Sequence, residues 1–236
     1  MTERKAGRRS AEDAEKTKCE ILTIAAQLFC ERGYERVSLR NISEKAGVSH
    51  SLIRHHFGSK EKIWLSISDG LHDYFEKYLQ VIMEHFPKQS TPSEKLYFFT
   101  VRVLAHMLVK KQPIQLLADG VRQDELTDYF MDRNYQVQDT IATLANEYNQ
   151  QHPECQINIW EVKWLMIMFA HGASSLEPFM HQTWEDIKGD HEQCLLRQWN
   201  MFNQMMAARL LIPQSKILAP QNVSDLVYEI PCNLVS

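Results

Sequence analysis

Four side chains close together in the chain, His50, Ser51, Arg54 and His55, carry imidazole, hydroxyl and guanidinium groups. All four can donate hydrogen bonds to base edges or phosphate oxygens. The alternative chemistries are poorly served. His50, His55 and His56 lack the i, i+4 histidine pair with a carboxylate that a zincin helix uses, so no metal site is expected. The run His171-Gly172-Ala173-Ser174 is not a nucleophile elbow, and there is no Gly-rich phosphate loop. The sequence therefore predicts a binding protein, not an enzyme, with no cofactor.

Presenting these donors together requires a short helix held on a scaffold. Ser38 can cap a helix whose inward positions are Leu39, Ile42 and Ala46. Gly47 supplies the positive φ of a tight reversal, and Val48 goes under the turn. Ser49 then caps a third helix over 50–56. Ile53 and Phe57, four apart, face inward together, which turns His50, Ser51, Arg54 and His55 outward. A scaffold helix, a tight turn and a helix with polar outward positions make a helix-turn-helix. Upstream, the Ser10-Ala-Glu-Asp13 spacing predicts a helix start at Ala11. Its stripe of Ile21, Leu22, Ala25, Leu28 and Phe29 ends at Gly33, which leaves residues 1–10 as a mobile basic arm. Arg4, Lys5, Arg8 and Arg9 on that arm suit either a minor groove or bulk solvent.

A net charge of -4 repels nucleic acid on average, but it is unevenly spread. Residues 1–62 carry a basic excess of 4, and the remainder an acidic excess of 8. A basic module on an acidic body still attracts phosphate locally. Scattered cysteines, odd in number and without a CxxC pair, suit reduced thiols in a cytoplasmic protein. The longest apolar run, Trp164 to Ala170, is too short to span a bilayer, so no membrane partner is expected.

Downstream the pattern stays helical. Ser59 caps a long helix with Ile63, Trp64, Ile67, Leu71, Phe75, Tyr78 and Ile82 in its stripe, stopped by Pro87. Thr91-Pro-Ser-Glu94 is a capping box with Pro at the first helical position, starting a helix to about Lys110. Pro113 opens a shorter helix, another spans Asp124 to about Gln150, Asn158 caps one over 159–176, and Asp190 caps the last, ending at Pro213. The last two are apolar on more than one side, so both are central in the monomer or they form a subunit interface. The interface is the reading favoured here, through Trp160, Phe169, Leu195, Trp199, Phe202 and Met206. Phe98, Phe99, His106, Tyr129, Phe130, Tyr135, Trp164, Met168 and His171 offer an apolar lining for a small lipophilic effector.

Ala25-Ala-Gln-Leu-Phe29, Gly33-Tyr34, Ser38, Asn41-Ile-Ser43, Ala46-Gly-Val-Ser49 and Leu52-Ile-Arg-His-His-Phe-Gly-Ser-Lys-Glu61 together resemble the TetR/AcrR family of transcriptional regulators. The resemblance covers about 50 residues without a gap, and the rest of the chain carries no motif of that family. It implies that Ser38 and Lys60 contact phosphates, that His50, Ser51 and Leu52 lie at the base edges, that Ser49 belongs to the same DNA-binding set, and that His55 and His56 approach the DNA backbone. Arg54 stands where the family has a tyrosine, so it either reads a guanine or adds a phosphate contact. Ser43 replaces a common alanine.

The sequence thus predicts an all-α chain of about nine helices: an arm (1–10), a three-helix DNA-binding domain (11–59), an effector-binding and dimerising domain (60–212), and an extended tail (213–236). The resemblance implies a homodimeric repressor on double-stranded operator DNA, released by a small-molecule effector. A DNA-binding protein of this fold that organises the chromosome or cell division is the alternative.

Overall fold

The computed structural model describes residues 4–123, 125–126, 128–129, 135–187 and 189–231, without the side chains of 4–12 and 135–137. The arm's Arg4, Lys5, Arg8 and Arg9 side chains, and those of Phe130 and Tyr135, lie outside that description. Among the described residues there are ten α-helices and no strand: α1 (Arg4–Arg32), α2 (Leu39–Ala46), α3 (His50–Phe57), α4 (Lys60–Glu84), α5 (Pro92–Val109), α6 (Gln112–Gly120), α7 (Tyr135–Gln151), α8 (Ile159–Ser175), α9 (Glu177–Thr183) and α10 (His191–Arg209). None is long and apolar enough to cross a membrane.

The capping signals account for most boundaries. Thr91 and Glu94 exchange both bonds of a capping box, Asn158 accepts from the Trp160 amide, and Asp190 accepts from the Gln193 amide. Gly33 and Gly47 sit at φ +83° and +65°, a conformation that side-chain-bearing residues resist. Three expectations need correction. The first helix begins at Arg4, not Ala11, because the Arg, Lys and Ala residues before Ser10 are strong helix formers and carry the helix through the single Gly7. A tenth helix, α9, follows α8 directly, with a Pro in its first turn. The tail is not simply extended. It holds 3-10 turns at Gln214–Lys216 and Val223–Leu226, and it buries Val223 and Leu226. The start of the helix expected from Asp124, and Cys232 in the tail, fall outside the described residues.

The chain divides into two compact units, residues 1–75 with 116–133 and 231–236, and residues 76–115 with 134–230. The core of the first gathers Ile21, Leu22, Leu28 and Phe29 of α1, Ile42 of α2, Ile53 of α3, Ile63, Trp64 and Ile67 of α4, and Leu116 of α6. The second unit is centred on α5, whose Leu96, Phe99, Val101 and Leu104 are fully enclosed. Two of its buried polar side chains are matched across elements. The Tyr97 hydroxyl donates to Asn203 Oδ1 (2.6 Å) and accepts the Leu218 amide (2.8 Å), while Trp199 Nε1 donates to the Val101 carbonyl (2.8 Å).

Candidate nucleic-acid interface

The helix-turn-helix is held together by local bonds. The Ser38 hydroxyl accepts the Asn41 amide, and Asn41 Oδ1 in turn accepts both the Ser38 amide (2.9 Å) and its hydroxyl (2.7 Å). At the other end of α2, the Gly47 amide bonds the Glu44 carbonyl and the Val48 amide bonds that of Ser43. These two bonds close the helix in the left-handed manner that glycine permits. No atom lies near the position a Gly47 Cβ would take, so the glycine is there for its backbone and not for space. Ser49 then caps α3 by accepting the Leu52 amide at 3.1 Å.

The result sorts α3 by face. Ile53 is fully buried, and Leu52, His56 and Phe57 are half-buried. His50, Ser51, Arg54 and His55 are exposed, the four residues expected to point outward. Arg54 has no ion-pair partner among the described residues. Ser49 and Ser51 share a hydroxyl contact of 2.9 Å. His56 lies against the Phe57 ring and its titration is lowered, first by burial and then by the charges of His55 and Lys18. It therefore acts near neutral pH as an uncharged donor. The Ser38 hydroxyl, expected on a phosphate, spends its proton on Asn41 and must turn away to reach one.

Lys60 opens α4, where amide groups and the helix dipole favour an anion. Its ammonium donates to the Tyr34 carbonyl at 2.9 Å and lies 4.0 Å from the centre of the Tyr34 ring. A second anchor on the same loop has no local signal in the sequence. The Tyr34 amide donates to the Asp119 carboxylate, and the other Asp119 oxygen lies 3.1 Å from where a Gly33 Cβ would be. Asp119 stands near the end of α6, 85 positions away, and no local spacing could reveal that pairing. Gln123 Nε2 donates to Glu35 in the same region, at 2.6 Å. The carboxylate of Asp119, after burial itself, also drives the Cys30 thiol up to about 12.

In the second unit, the expected pocket and interface residues fall into different environments. Phe98, Phe99 and His106 are buried on α5. Burial pushes His106 down to about 3, which leaves it neutral. His171 is half-buried, its Nδ1 3.2 Å from Ser175 Oγ. Trp164 and Met168, expected in the same lining, are 60% and 42% exposed instead. They follow Trp160 at four-residue steps along one face of α8, so they belong to a surface and not to a cavity wall. Tyr129 belongs to the first unit, where its hydroxyl donates to Asp69 at 2.7 Å. Among the expected interface residues Trp160 is exposed, and Phe169 is half-buried with its ring 5.7 Å from that of Phe202. Leu195, Trp199, Phe202 and Met206 are fully buried, and that expectation is corrected. These four side chains of α10 are used up inside the monomer, where the helix packs on α5 and α8. A groove of about 410 Å³ lies in this unit between Pro87, Tyr97, Phe98, Ile212 and Ile217, with Lys88, Glu94 and Lys216 also lining it. Of the expected lining residues that are described, only Phe98 reaches it.

The comparison with known proteins agrees with this geometry. Residues 21–67 match the family described as bacterial regulatory proteins, tetR family. The chain is 38% identical over 73 residues to the HTH-type transcriptional repressor KstR2 of Rhodococcus jostii (strain RHA1), covering 30% of this chain and 36% of that protein. It therefore spans about a third of that curated relative's length. In fold it is similar to the fatty acid degradation regulator FadR from Bacillus halodurans (TM-score 0.61, 14% identity, 84% of this chain and 96% of that one). It is likewise similar to AibR solved in complex with isovaleryl coenzyme A and operator DNA (TM-score 0.57, 19% identity, 78% and 97%). Both fold likenesses extend well beyond the helix-turn-helix into the larger helical region. Residues 21–67, which hold the helix-turn-helix and its support, are thus similar to the tetR family of bacterial regulatory proteins, and the likeness of the remaining helices is one of fold.

Proposed function

We propose that the protein is a sequence-specific transcriptional regulator that represses by occupying a double-stranded operator as a homodimer in the cytoplasm. The observation that carries this reading is the sorting of α3. Four exposed hydrogen-bonding side chains sit over one buried isoleucine, on a helix short enough to enter a major groove. His50, Ser51 and Leu52 are the base-edge readers, with Arg54 beside them. Ser38, Ser49, His55, His56 and Lys60 hold the phosphates. The exposed apolar residues Trp160, Trp164 and Met168 of α8 and Met201 of α10 supply the surface on which a second copy docks. Two recognition helices then meet successive major grooves about 34–36 Å apart.

Release is triggered by a small lipophilic effector held in the second unit. The relative AibR was solved with an acyl coenzyme A and FadR is named for fatty acid degradation, and both share this fold. Helix α4 runs from Lys60, at the DNA side, into the second unit, so it is the element through which effector binding alters the separation of the two readers. No catalytic role is proposed.

Selection from a random double-stranded library tests this reading. It predicts enrichment of a pseudo-palindrome whose half-sites are spaced by a helical turn or slightly more. Failure to enrich any common sequence overturns it.

A further inference from the structure

We propose that Glu177, His181 and His191 form a binding site for one divalent transition-metal ion, of which zinc(II) fits best. Sequence reading expected no metal in this chain. The signal it passed over is the i, i+4 pair of Glu177 and His181, which one helical turn brings to the same face. His191, the first residue of α10, completes the group across the connection from α9. Among the described residues, these three alone bring ligand atoms of His, Cys, Asp or Glu into one cluster, all within 4.8 Å of each other.

The spacing suits a metal closely. Glu177 Oε1 lies 3.5 Å from His181 Nε2 and 3.4 Å from His191 Nδ1, and the two nitrogens are 3.3 Å apart. Zinc bonds of ~2.0–2.1 Å to nitrogen and oxygen, set tetrahedrally, separate neighbouring ligands by ~3.3–3.4 Å. The triangle is therefore one face of a zinc tetrahedron, with the fourth position left for water or an anion. Two imidazoles and one carboxylate favour zinc, cobalt or nickel over magnesium and calcium, which require mostly oxygen ligands.

The surroundings orient the ligands. The opposite nitrogen of His181, Nδ1, lies 3.8 Å from Cys194 Sγ, so in the tautomer protonated at Nδ1 the N–H points at the sulfur and the Nε2 lone pair faces the cluster. Cys194 is thus a positioning residue and not a ligand. Lys111 Nζ approaches the second oxygen of Glu177, Oε2, at 3.8 Å, leaving Oε1 for the metal. All three ligands are partly exposed, so an ion can enter from solvent. Once bound, it ties the start of α9 to the start of α10 and clamps the intervening connection, which includes a 3-10 turn over Glu185–Ile187.

Cobalt(II) titration of the full-length protein, stripped with a chelator and dialysed, tests the site. The expected result is tetrahedral visible absorption saturating at one equivalent per chain, abolished by added zinc(II), with a rise in Tm that chelation reverses. His181→Gln and His191→Gln should each abolish the absorption, while His85→Gln should leave it intact. Should either variant fail to fold, zinc protection of His181 and His191 from acylation in the wild-type protein, mapped by peptide mass, gives the same answer. No cobalt absorption in excess metal, absorption that persists in a folded His181→Gln/His191→Gln variant, or no zinc protection of these two histidines overturns the proposal and leaves the cluster a plain histidine–carboxylate ion pair.

Discussion

Lys60 Nζ rests 2.9 Å from the carbonyl oxygen of Tyr34 and 4.0 Å from the centre of its ring. The carbonyl engages one of the three ammonium protons, and the ring fixes the stem. Two protons remain for a phosphate at the start of α4. A lysine already ordered in this way gives up less side-chain entropy on binding than a free one.

Lys60→Ala should therefore weaken DNA binding by a similar factor on every sequence. The slope of log affinity against log salt should fall by about 1, the signature of one lost phosphate neutralisation. Titrations at several salt concentrations, on specific and random duplexes, measure both effects. An unchanged slope would show that Lys60 serves the Tyr34 loop alone.

Arg54 is exposed on the outer face of α3 and has no ion-pair partner among the described residues. A bidentate contact to guanine would make Arg54→Ala cost about 1–3 kcal/mol at a single base position. Competition with single-position operator variants reads this directly. A uniform loss across all variants would assign Arg54 to the backbone instead.

His106 is buried beside the Tyr78 ring, 4.0 Å away, and burial lowers it to about 3 from an ordinary value of 6.5. In the unfolded chain it titrates normally, so between those limits the unfolded state binds the extra proton. The stability it supports is present in full above about pH 6.5 and is lost as pH falls toward 3. The slope contributed approaches ~1.4 kcal/mol per pH unit within that window. Urea midpoints across the acid range should fall less steeply for His106→Phe than for the parent.

Trp164 and Trp199 separate surface from core on the two helices that sequence alone treated as equals. Trp164 is 60% exposed and Trp199 1% exposed. Trp164→Lys should shift sedimentation equilibrium toward monomer while leaving Tm of the folded chain nearly unchanged. Trp199→Ala should cost about 3–5 kcal/mol of stability by opening a cavity and removing the indole's bond to the Val101 carbonyl. A Trp164→Lys protein that stays dimeric at micromolar concentration would remove α8 from the interface.

The contrast between these tryptophans marks how far the sequence could be read. The helix-turn-helix was legible because its determinants are local. Ser38 caps, Gly47 turns, Ser49 caps again, and Ile53 sets which face is hidden, all within one stretch. The helix count was nearly right for the same reason, with caps at Thr91, Asn158 and Asp190 in place. What periodicity could not tell was which neighbour covers an apolar face. The stripe of α10 meets α5 inside its own chain, whereas Trp160, Trp164 and Met168 stay exposed on α8. Long-range partners were equally hidden, as with Asp119 reaching Tyr34 and His191 reaching Glu177.

Whether α3 reads sequence is tested most directly by fluorescence anisotropy of the full-length protein on its selected duplex and on a scrambled duplex of equal composition, in one buffer of fixed salt. The account predicts binding to the selected duplex at least ~10³-fold tighter, with two chains per duplex. Equal affinity for the two duplexes would contradict it.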